Sequence, residues 1–372
     1  MELIATCAFG LEKLVYQEIK KLGLWVVKTE DGRVIFEGSP EDLIRANLWL
    51  RTAERIQIKL GEFEARTFDE LFDQTYALDW PAILPENATF PVLCSTSNSQ
   101  LHNEPSIQSI AKKAIVKKLQ TERPQNPLPE TGPVYSIMVR FQQDRCTISL
   151  DSTGDSLHKR GYRTRANLAP IKETLAAALV MFSDWTPERP LIDPFCGSGT
   201  ILVEAAMIGL NIAPGLDRNF AFENWPDYSA ELTQKIRLEA SAQELKLDLN
   251  ILGSDIDPEA IDIAECNIDN IGLLKQIKLA VSDFRNLDFS TYKNATIIVN
   301  PPYGERFDDL SEVAKIYADL GKLFTKTTNS SLYLFTSFPN FEKTFGRPAE
   351  RNRKLFNGKI PCRLYFYPAS PK

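Results

Sequence analysis

Short apolar strands alternate with helical segments from Pro190 to the end of the chain, and polar residues or glycines follow the strands. Six segments have strand character: PLIDP, NILGSDID, IKLAVSD, ATIIVN, SLYLFTS and RLYFY. Segments long enough to form a helix separate most of them. Strand–helix alternation is typical of a parallel sheet whose two faces are covered by helices. This part of the chain is therefore predicted to form a doubly wound, Rossmann-like α/β sheet.

Four of these strand ends carry residues suited to binding a ligand. The segment DPFCGSGT (193–200) lies at the end of the strand PLIDP, and Asp255 and Asp257 lie at the end of NILGSDID. Asp283 lies at the end of IKLAVSD, and Asn300 at the end of ATIIVN. Ligands of doubly wound sheets bind outside the carboxyl ends of the strands, so these residues are expected to lie together. Each has an ordinary alternative, namely a tight strand–helix turn for the glycines and helix capping for the acids. Their order along the chain is more specific than any one of them.

The glycine turn allows a ligand to approach the backbone. Gly197 and Gly199 remove side-chain bulk, and the helix that follows offers free N–H groups. The turn lacks the third glycine of a dinucleotide site, which disfavours a nicotinamide dehydrogenase. In that fold an acid follows the glycines after about 20 residues, whereas 62 residues separate Asp193 from Asp255. The longer interval predicts an insertion at about 210–248.

Asn-Pro-Pro-Tyr at 300–303 ends the fourth strand. Proline neither donates a backbone hydrogen bond nor continues a central strand, so this segment is a rigid corner, or simply a turn that ends the strand. The exocyclic amine of a base is a weak nucleophile because its lone pair is delocalised into the ring. The Asn300 side-chain oxygen and the Pro301 carbonyl are suitable acceptors for its N–H groups. Tyr303 is suited to stack on a base that has left its own stack.

The composition disfavours several other kinds of chemistry. Only two histidines and six cysteines occur among 372 residues, and no two cysteines form a CxxC pair. No metal site and no histidine-based catalytic triad are therefore expected. Dispersed cysteines, with neither a signal peptide nor an apolar run of about 18 residues, favour a cytoplasmic protein that does not enter membranes. The net charge is −6, so an RNA partner would have to bind local basic patches.

The N-terminal part of the chain has α+β character. Residues 1–60 predict the order βαββαβ, which is that of a ferredoxin-like unit. Residues 61–155 continue with a helix, a strand, a long amphipathic helix and two strands. A basic linker, 156–169, precedes the doubly wound part, 170–372.

Several of these segments resemble known families. DPFCGSGT, GSDIDPEAI and NPPYGER resemble motifs I, II and IV of class I S-adenosylmethionine-dependent amino-methyltransferases. LHKRGYRTRANLAPIKETLAAALV and IAPGLDRNFAFENW resemble the bacterial 23S rRNA guanine-N2-methyltransferase family. The N-terminal order is similar to a ferredoxin-like domain followed by a THUMP RNA-binding domain at 61–155, with a profile start near residue 45 as an alternative. The resemblance implies one class I methyltransferase site, S-adenosyl-L-methionine as the cofactor and RNA as the partner.

The resemblance also implies roles for individual residues. Asp193 and the two glycines would line the methionine part of the cofactor, Asp255 would hold the ribose, and Asp283 with Phe284 would hold the adenine. The target guanine would be held by Asn300, Pro301, Pro302 and Tyr303. The cofactor-binding candidates are Asp193, Pro194, Cys196, Gly197, Ser198, Gly199, Thr200, Asp255, Ile256, Asp257, Asp283, Phe284 and Asn300.

Three basic segments are candidates for contact with RNA. One lies on the polar side of the long amphipathic helix, one is the linker, and the third, 346–359, is expected to be a loop beside the active site. Basic side chains interleaved with an aromatic ring suit phosphate contact and base stacking. A solvated helix face and a linker packed on both domains are the alternatives. The RNA-binding candidates are Lys112, Lys113, Lys117, Lys159, Arg160, Tyr162, Arg163 and Arg165.

The resemblance leaves more than one function open. Guanine-N2 methylation of 23S rRNA leads, and the same reaction on tRNA is the nearest alternative. Adenine-N6 methylation of DNA also uses an Asn-Pro-Pro-Tyr motif, but the THUMP-like part disfavours it. A non-catalytic RNA-binding or ribosome-assembly factor is the alternative from a different class, and the intact motifs disfavour it. The target nucleotide and the oligomeric state stay open.

Overall fold

The computed structural model describes residues 1–123, 128–164, 171–303 and 310–369. These parts of the chain contain two seven-stranded sheets with helices packed against them. The elements before the linker are β1 (Glu2–Cys7), α1 (Glu12–Lys21), β2 (Trp25–Glu30), β3 (Arg33–Glu37), α2 (Pro40–Trp49), β4 (Ala53–Glu64), α3 (Phe68–Ala77), α4 (Trp80–Ile83), β5 (Val92–Ser97), α5 (Glu104–Glu122), β6 (Ile137–Gln142) and β7 (Arg145–Asp151).

The elements after the linker form the second sheet and its helices. They are α6 (Glu173–Phe182), β8 (Leu191–Asp193), α7 (Thr200–Gly209), α8 (Ala230–Ser241), β9 (Ile251–Asp255), α9 (Pro258–Asp269), β10 (Ile277–Val281), β11 (Thr296–Val299), α10 (Leu310–Phe324), β12 (Ser331–Thr336), α11 (Phe341–Phe345), β13 (Arg351–Asn357) and β14 (Ile360–Tyr367). Short 3-10 helices occur at Ala221–Asn224, Phe284–Asn286 and Phe289–Thr291.

The first sheet runs through both N-terminal units in the order β2-β3-β1-β4-β7-β6-β5. The predicted βαββαβ order of residues 1–60 is present. Strand β4 pairs with β1 on one side and with β7 on the other, which makes the sheet continuous. The boundary predicted at residue 60 falls inside β4, and the division into two domains there stays a prediction.

The second sheet has the order β10-β9-β8-β11-β12-β14-β13. Five strands, β8 to β12, are parallel, which confirms the predicted doubly wound core. Strand β14 runs antiparallel to both of its neighbours, β12 and β13, so the sheet is mixed. The prediction of a loop at 346–359 is wrong, because β13 occupies most of that segment. Its first four residues are exposed on the edge of the sheet and therefore lack the apolar alternation that marks a strand.

Helices cover both faces of the second sheet. Tyr333 and Phe335 of β12 face the core that contains α6 and α7, whereas Leu332 faces Tyr317 of α10 and Phe345 of α11. This covering leaves the carboxyl ends of the parallel strands free to form a site.

The predicted insertion, about 210–248, joins the two halves of the molecule. It contains a 3-10 helix and α8, and its buried Phe220, Phe222, Trp225 and Ile236 belong to the core of the first sheet. The Trp225 ring stacks on Tyr135 with the ring centroids 4.8 Å apart. The Gly215 N–H donates a 2.9 Å hydrogen bond to the carbonyl oxygen of Leu48 at the end of α2. The insertion thus fixes the second half against the first.

The linker is a packed junction over its described part, 156–164. Arg160 is 3% exposed and forms a buried ion pair with Glu204 of α7, with 3.2 Å between Nε and Oε1. The same guanidinium donates hydrogen bonds to the carbonyl oxygens of Arg51 and Leu157. Arg160 therefore ties α7 to the N-terminal half.

The described ranges contain neither a membrane-spanning helix nor a cluster of metal ligands. None of the helices there combines the length and apolar character needed to cross a bilayer. No group of three or more His, Cys, Asp or Glu side chains in these ranges is placed to hold a metal ion.

Candidate active site

A cavity of about 710 Å3 lies at the carboxyl ends of β8, β9, β10 and β11. The polar strand ends that the sequence predicted to lie together form its wall. Every candidate for cofactor or guanine binding lines it except Gly199, which packs against α9 instead. The structure thus assembles these residues in one place, and their individual roles stay predictions.

The glycine turn at the end of β8 is held against β9. The Gly197 N–H donates a 2.9 Å hydrogen bond to Oδ2 of Asp255. Gly197 has a φ of 52°, and a Cβ placed there would meet no atom within 4 Å, so the turn leaves open space on that side. Gly199 has a φ of 79°, and its Cβ would lie 3.2 Å from the Cβ of Ala264 on α9. Gly199 therefore permits close helix packing.

Asp193 places a carboxyl group in the wall of the cavity. The side chain is 1% exposed and accepts a 3.0 Å hydrogen bond from the Phe195 N–H. Burial raises the pKa of Asp193 to about 8, and the negative charge of Asp255 acts in the same direction. A cationic group bound beside this carboxyl would stabilise its ionised form.

The two acids that follow β9 differ in their surroundings. Asp255 accepts backbone hydrogen bonds on both carboxylate oxygens, from Gly197 and from Asp257. Each of those oxygens keeps a second lone pair, so a ribose hydroxyl can still bind. Asp257 caps α9 by accepting a 3.0 Å hydrogen bond from the Glu259 N–H, which confirms the capping alternative for that residue. Between them, Ile256 is 65% exposed in the cavity wall.

Asp283 also acts as a helix cap, because its Oδ1 accepts a 2.9 Å hydrogen bond from the Arg285 N–H. Its Oδ2 forms a 3.0 Å ion pair with the Arg285 guanidinium, which also binds Asp319. Phe284 is buried, with its ring 4.7 Å from that of Phe195. An adenine would therefore meet an acid that already has a cationic partner.

The Asn-Pro-Pro-Tyr corner is fixed by contacts from other elements. Tyr317 of α10 donates a 3.1 Å hydrogen bond to the carbonyl oxygen of Pro302. The Asn357 amide donates a 2.6 Å hydrogen bond to the Tyr303 hydroxyl oxygen. Oδ1 of Asn300 is buried and has no hydrogen-bond partner within the described residues. Since a buried acceptor without a partner is costly, this atom is suited to receive an N–H from a substrate. Residues 304–306 of the motif lie outside the described residues.

Sequence reasoning missed several residues of this site. Asn357 and Gly358, at the turn between β13 and β14, line the cavity, as does Lys172 before α6. Gly358, between two strands, was a turn signal that could have revealed the hairpin. No signal in the sequence singled out Tyr317, because a tyrosine on an amphipathic helix is usually a core residue.

The linker candidates for RNA contact need correction. Arg160 and Tyr162 are 3% and 4% exposed, so neither offers a surface to RNA, because both pack around Glu204. Arg163 turns inward as well and donates a 2.6 Å hydrogen bond to Oγ1 of Thr200. Lys159 is exposed and pairs with Asp155. Arg165 lies outside the described residues.

The lysines of α5 are only partly free. Lys112 binds Glu130 at 2.7 Å and lies over the Phe90 ring. Lys113 and Lys117 are exposed, and the Lys117 ammonium is 5.8 Å from the centroid of the Phe72 ring. Lys113 and Lys117 therefore remain candidates for contact with RNA, whereas Lys112 is neutralised by its partner.

Comparison with protein families gives a match over most of the chain. Residues 160–365 match the RMKL-like methyltransferase domain. The chain belongs to the RMKL-like methyltransferase family. Two further models match the N-terminal half of this family member, the RlmL ferredoxin-like domain at residues 2–57 and the THUMP domain at 65–151. The methyltransferase, ferredoxin-like and THUMP assignments made from the sequence are confirmed.

This RMKL-like methyltransferase matches one relative along nearly its whole length and another along about half of its length. YpsC of Bacillus subtilis (strain 168), named as a candidate RNA methyltransferase, is 46% identical over 98% of this chain and 95% of its own. Ribosomal RNA large subunit methyltransferase K/L of Desulfotalea psychrophila is 36% identical over 97% of this chain. The match spans 52% of that relative's length, about half of it. SMU.472, a candidate methyltransferase crystallised with SAH, superposes with a TM-score of 0.93 at 45% identity, over 100% of this chain and 98% of its own.

Proposed function

We propose that this protein transfers a methyl group from S-adenosyl-L-methionine to the exocyclic N2 of a guanine in 23S rRNA. The observation that carries the proposal is the buried Oδ1 of Asn300 on the wall of the cavity, which has no hydrogen-bond partner among the described residues. Its family, its THUMP domain and a relative named as a ribosomal RNA methyltransferase support RNA as the substrate. The match to a protein crystallised with SAH supports the methyl donor.

The residues present fit such a donor. Open space beside Gly197 accommodates a ligand close to the backbone. Asp193, whose pKa is raised to about 8 by burial, favours a cationic neighbour such as an amino-acid ammonium group. Asp255 and Asp283 retain lone pairs for ribose and adenine. The bound donor supplies the methyl group to be transferred.

The protein's part in the reaction is positioning. The guanine amine would donate one N–H to Oδ1 of Asn300, which draws electron density toward the nitrogen and orients its lone pair. Tyr303, held by Asn357, would support the face of the base. The methylated nitrogen is strongly acidic until it loses a proton, so water can accept that proton. No histidine base is needed.

Nucleoside analysis provides the direct test. We would incubate the protein and labelled S-adenosyl-L-methionine with 23S rRNA from cells that lack the gene, and identify the product by mass spectrometry. The proposal predicts N2-methylguanosine in 23S rRNA. Transfer to tRNA alone would mean that the substrate is tRNA and not 23S rRNA. Labelled N6-methyladenine in DNA would contradict both the proposed base and the proposed nucleic acid. No transfer to any nucleic acid would favour a non-catalytic RNA-binding or assembly factor.

Two variants of Asn300 test the observation itself. Asn300→Ala is expected to abolish transfer while SAH affinity, measured by calorimetry, changes less than about threefold. Asn300→Asp keeps an acceptor oxygen of the same size and is expected to retain more transfer than the alanine variant. Wild-type transfer by Asn300→Ala would overturn the assigned role.

A further inference from the structure

Strand β13 forms the outer edge of the second sheet and is strongly basic. The segment 346–363, which contains β13, carries six basic residues and one acidic residue, whereas the whole chain has a net charge of −6. Arg351, Asn352, Arg353 and Lys354 are all exposed. A concentrated positive patch on an acidic protein points to an anionic partner at this place.

The basic side chains of this segment differ from most other arginines in having no acidic partner. Arg145 pairs with Glu62 and Arg237 pairs with Glu223. In the described ranges, no ion pair joins a basic residue of 346–363 to a carboxylate. Their charge is therefore available to a ligand.

Two arginines of β13 border a groove of about 300 Å3, here named the Arg351 groove, whose other walls are Asn352 and apolar or aromatic side chains. The Arg351 guanidinium lies 4.5 Å from the centroid of the Phe366 ring, and that of Arg353 lies 4.2 Å from the centroid of the Phe182 ring. The groove is lined by Phe182, Tyr333, Arg351, Asn352, Arg353, Leu364 and Phe366.

A buried hydroxyl lies in the same groove. The Tyr333 side chain is 2% exposed, and its hydroxyl has no hydrogen-bond partner of good geometry within the described residues. Its pKa is raised to about 12, chiefly by burial and also by the negative charge of Asp184, while Arg351 acts in the opposite direction. A neutral hydroxyl beside a guanidinium can donate a hydrogen bond to a phosphate or ribose oxygen.

The strand leads from this groove to the active-site cavity. Its last residue, Asn357, and the turn residue Gly358 line the cavity. Asn357 lies four positions after Arg353, which is about 13 Å along an extended strand. A polynucleotide that places one base in the cavity can therefore extend along β13 to the Arg351 groove.

We propose that β13 binds the backbone of the RNA strand that flanks the target base, and that the Arg351 groove holds one of its nucleotides. Arg351 and Arg353 bind phosphate, and a base stacks on the outer face of a guanidinium plane. This inference rests on the proposed function, because it takes RNA to be the substrate of the adjoining site.

Charges on an edge strand also discourage pairing with a second sheet. Preventing such pairing requires charged side chains but no RNA ligand, and loss of the charges would then cause the protein to self-associate. Charged residues at the opposite edge of the same sheet would prevent pairing in the same way. Lys275, in the turn just before the edge strand β10, and Lys278, within that strand, are exposed and have no ion pair within the described residues, so they provide a matched control.

The test compares two double variants that each remove two positive charges. R351Q/R353Q keeps much of the side-chain length, and K275Q/K278Q is the control. Binding of an unmodified 23S rRNA transcript would be measured between about 50 and 200 mM salt. Thermal unfolding and light scattering would verify that each variant is folded and has the oligomeric state of the wild type.

We expect R351Q/R353Q to bind the transcript about tenfold more weakly and to lose about 1.4 from the slope of log K against log salt, the value for two phosphate contacts on a single strand. Its KM for RNA should rise, while kcat at saturating RNA and SAH affinity should not change. K275Q/K278Q should bind within about twofold of the wild type. Because lysine is a poorer stacking partner than arginine, R351K/R353K should restore only part of the affinity.

Three outcomes would overturn the inference. They are wild-type binding by R351Q/R353Q, an equal loss in both double variants, and a loss accompanied by self-association. Each leaves the proposed function standing as long as the wild-type protein methylates the transcript. A wild-type protein that neither binds nor methylates any RNA would instead refute the proposed function, and with it this inference.

Discussion

The side-chain amide of Asn357 donates a 2.6 Å hydrogen bond to the hydroxyl oxygen of Tyr303. The two residues lie 54 positions apart, one at the end of β13 and the other in the Asn-Pro-Pro-Tyr corner. The β13–β14 hairpin therefore orients the ring that is expected to support the target base. Asn357 is a positioning residue in this account, since it acts through Tyr303.

Loss of this contact should lower turnover and leave donor binding intact. For Asn357→Ala we expect kcat to fall about tenfold, which corresponds to one hydrogen bond, with SAH affinity unchanged. Tyr303→Phe removes the acceptor and should cause a similar loss. The double variant should be no slower than the slower single variant, because both changes break the same contact. Multiplied losses in the double variant would show that the two residues act separately.

The contact between Tyr317 and Pro302 leads to a second prediction. Tyr317→Phe removes the hydroxyl that binds the Pro302 carbonyl and Thr336. The corner would lose a fixed point, so kcat should fall several-fold and the protein should lose about 1–2 kcal/mol of unfolding free energy. Steady-state kinetics and urea unfolding measure both effects.

A tyrosine in the same core provides the control for that variant. The Tyr367 hydroxyl donates a 3.1 Å hydrogen bond to the Arg347 carbonyl, away from the cavity. Tyr367→Phe should lower the free energy of unfolding by a similar amount with kcat unchanged. An equal fall of kcat in both variants would mean that Tyr317 acts only through stability.

Asp193 predicts a pH dependence of ligand binding. Its pKa is raised to about 8 in the free protein, so the carboxyl is mostly protonated at lower pH and must lose a proton to pair with an ammonium group. The affinity for SAH should therefore rise by up to about tenfold per pH unit from about pH 6 and level off near pH 8. Calorimetry across this range measures it, with Asp193→Asn expected to flatten the profile and the exposed Asp248→Asn to leave it unchanged. A flat profile for the wild type would contradict the prediction.

Because Arg160 and Glu204 form a buried ion pair, replacing Arg160 should lower the stability of the protein without changing its affinity for RNA. Arg160→Met leaves the Glu204 carboxylate without its cationic partner in the interior, which should cost about 3–5 kcal/mol of unfolding free energy. Arg160→Met/Glu204→Leu removes both charges and should recover part of that loss. Under conditions where each variant is folded, filter binding should give the RNA affinity of the wild type. A selective loss of RNA affinity in folded Arg160→Met would restore the role that the sequence suggested.

The sequence predicted the fold well where residue pattern and structural role coincide. The strands before Asp193, Asp255, Asp283 and Asn300 are parallel, and all but the edge strand β10 are largely buried, so apolar runs identified them and their polar ends met at one cavity. The βαββαβ order was predicted for the same reason, because turns and amphipathic helices separate its strands. The site followed from the fold, since parallel strands bring their carboxyl ends together.

The failures came from residues whose roles depend on contacts distant in sequence. Arg160 and Tyr162 look like an RNA-binding segment beside three other basic residues, and only the fold shows that Glu204 lies opposite them in the interior. Strand β13 was missed because its exposed basic residues disfavour a strand locally, whereas pairing with β14 stabilises it. Tyr317 and Asn357 each contact the Asn-Pro-Pro-Tyr corner through one hydrogen bond, which no local sequence pattern predicts.

Strand β4 is shared by the two units of the N-terminal half, with β1 along one side and β7 along the other. Tilting one unit away from the other would break this backbone ladder, so the two cannot swing separately. The insertion and Arg160 hold the same half to the methyltransferase domain. Under the proposed function, the RNA-binding N-terminal half therefore lies at a fixed distance from the active site. A guanine would be selected by its distance from the RNA features that the N-terminal half binds.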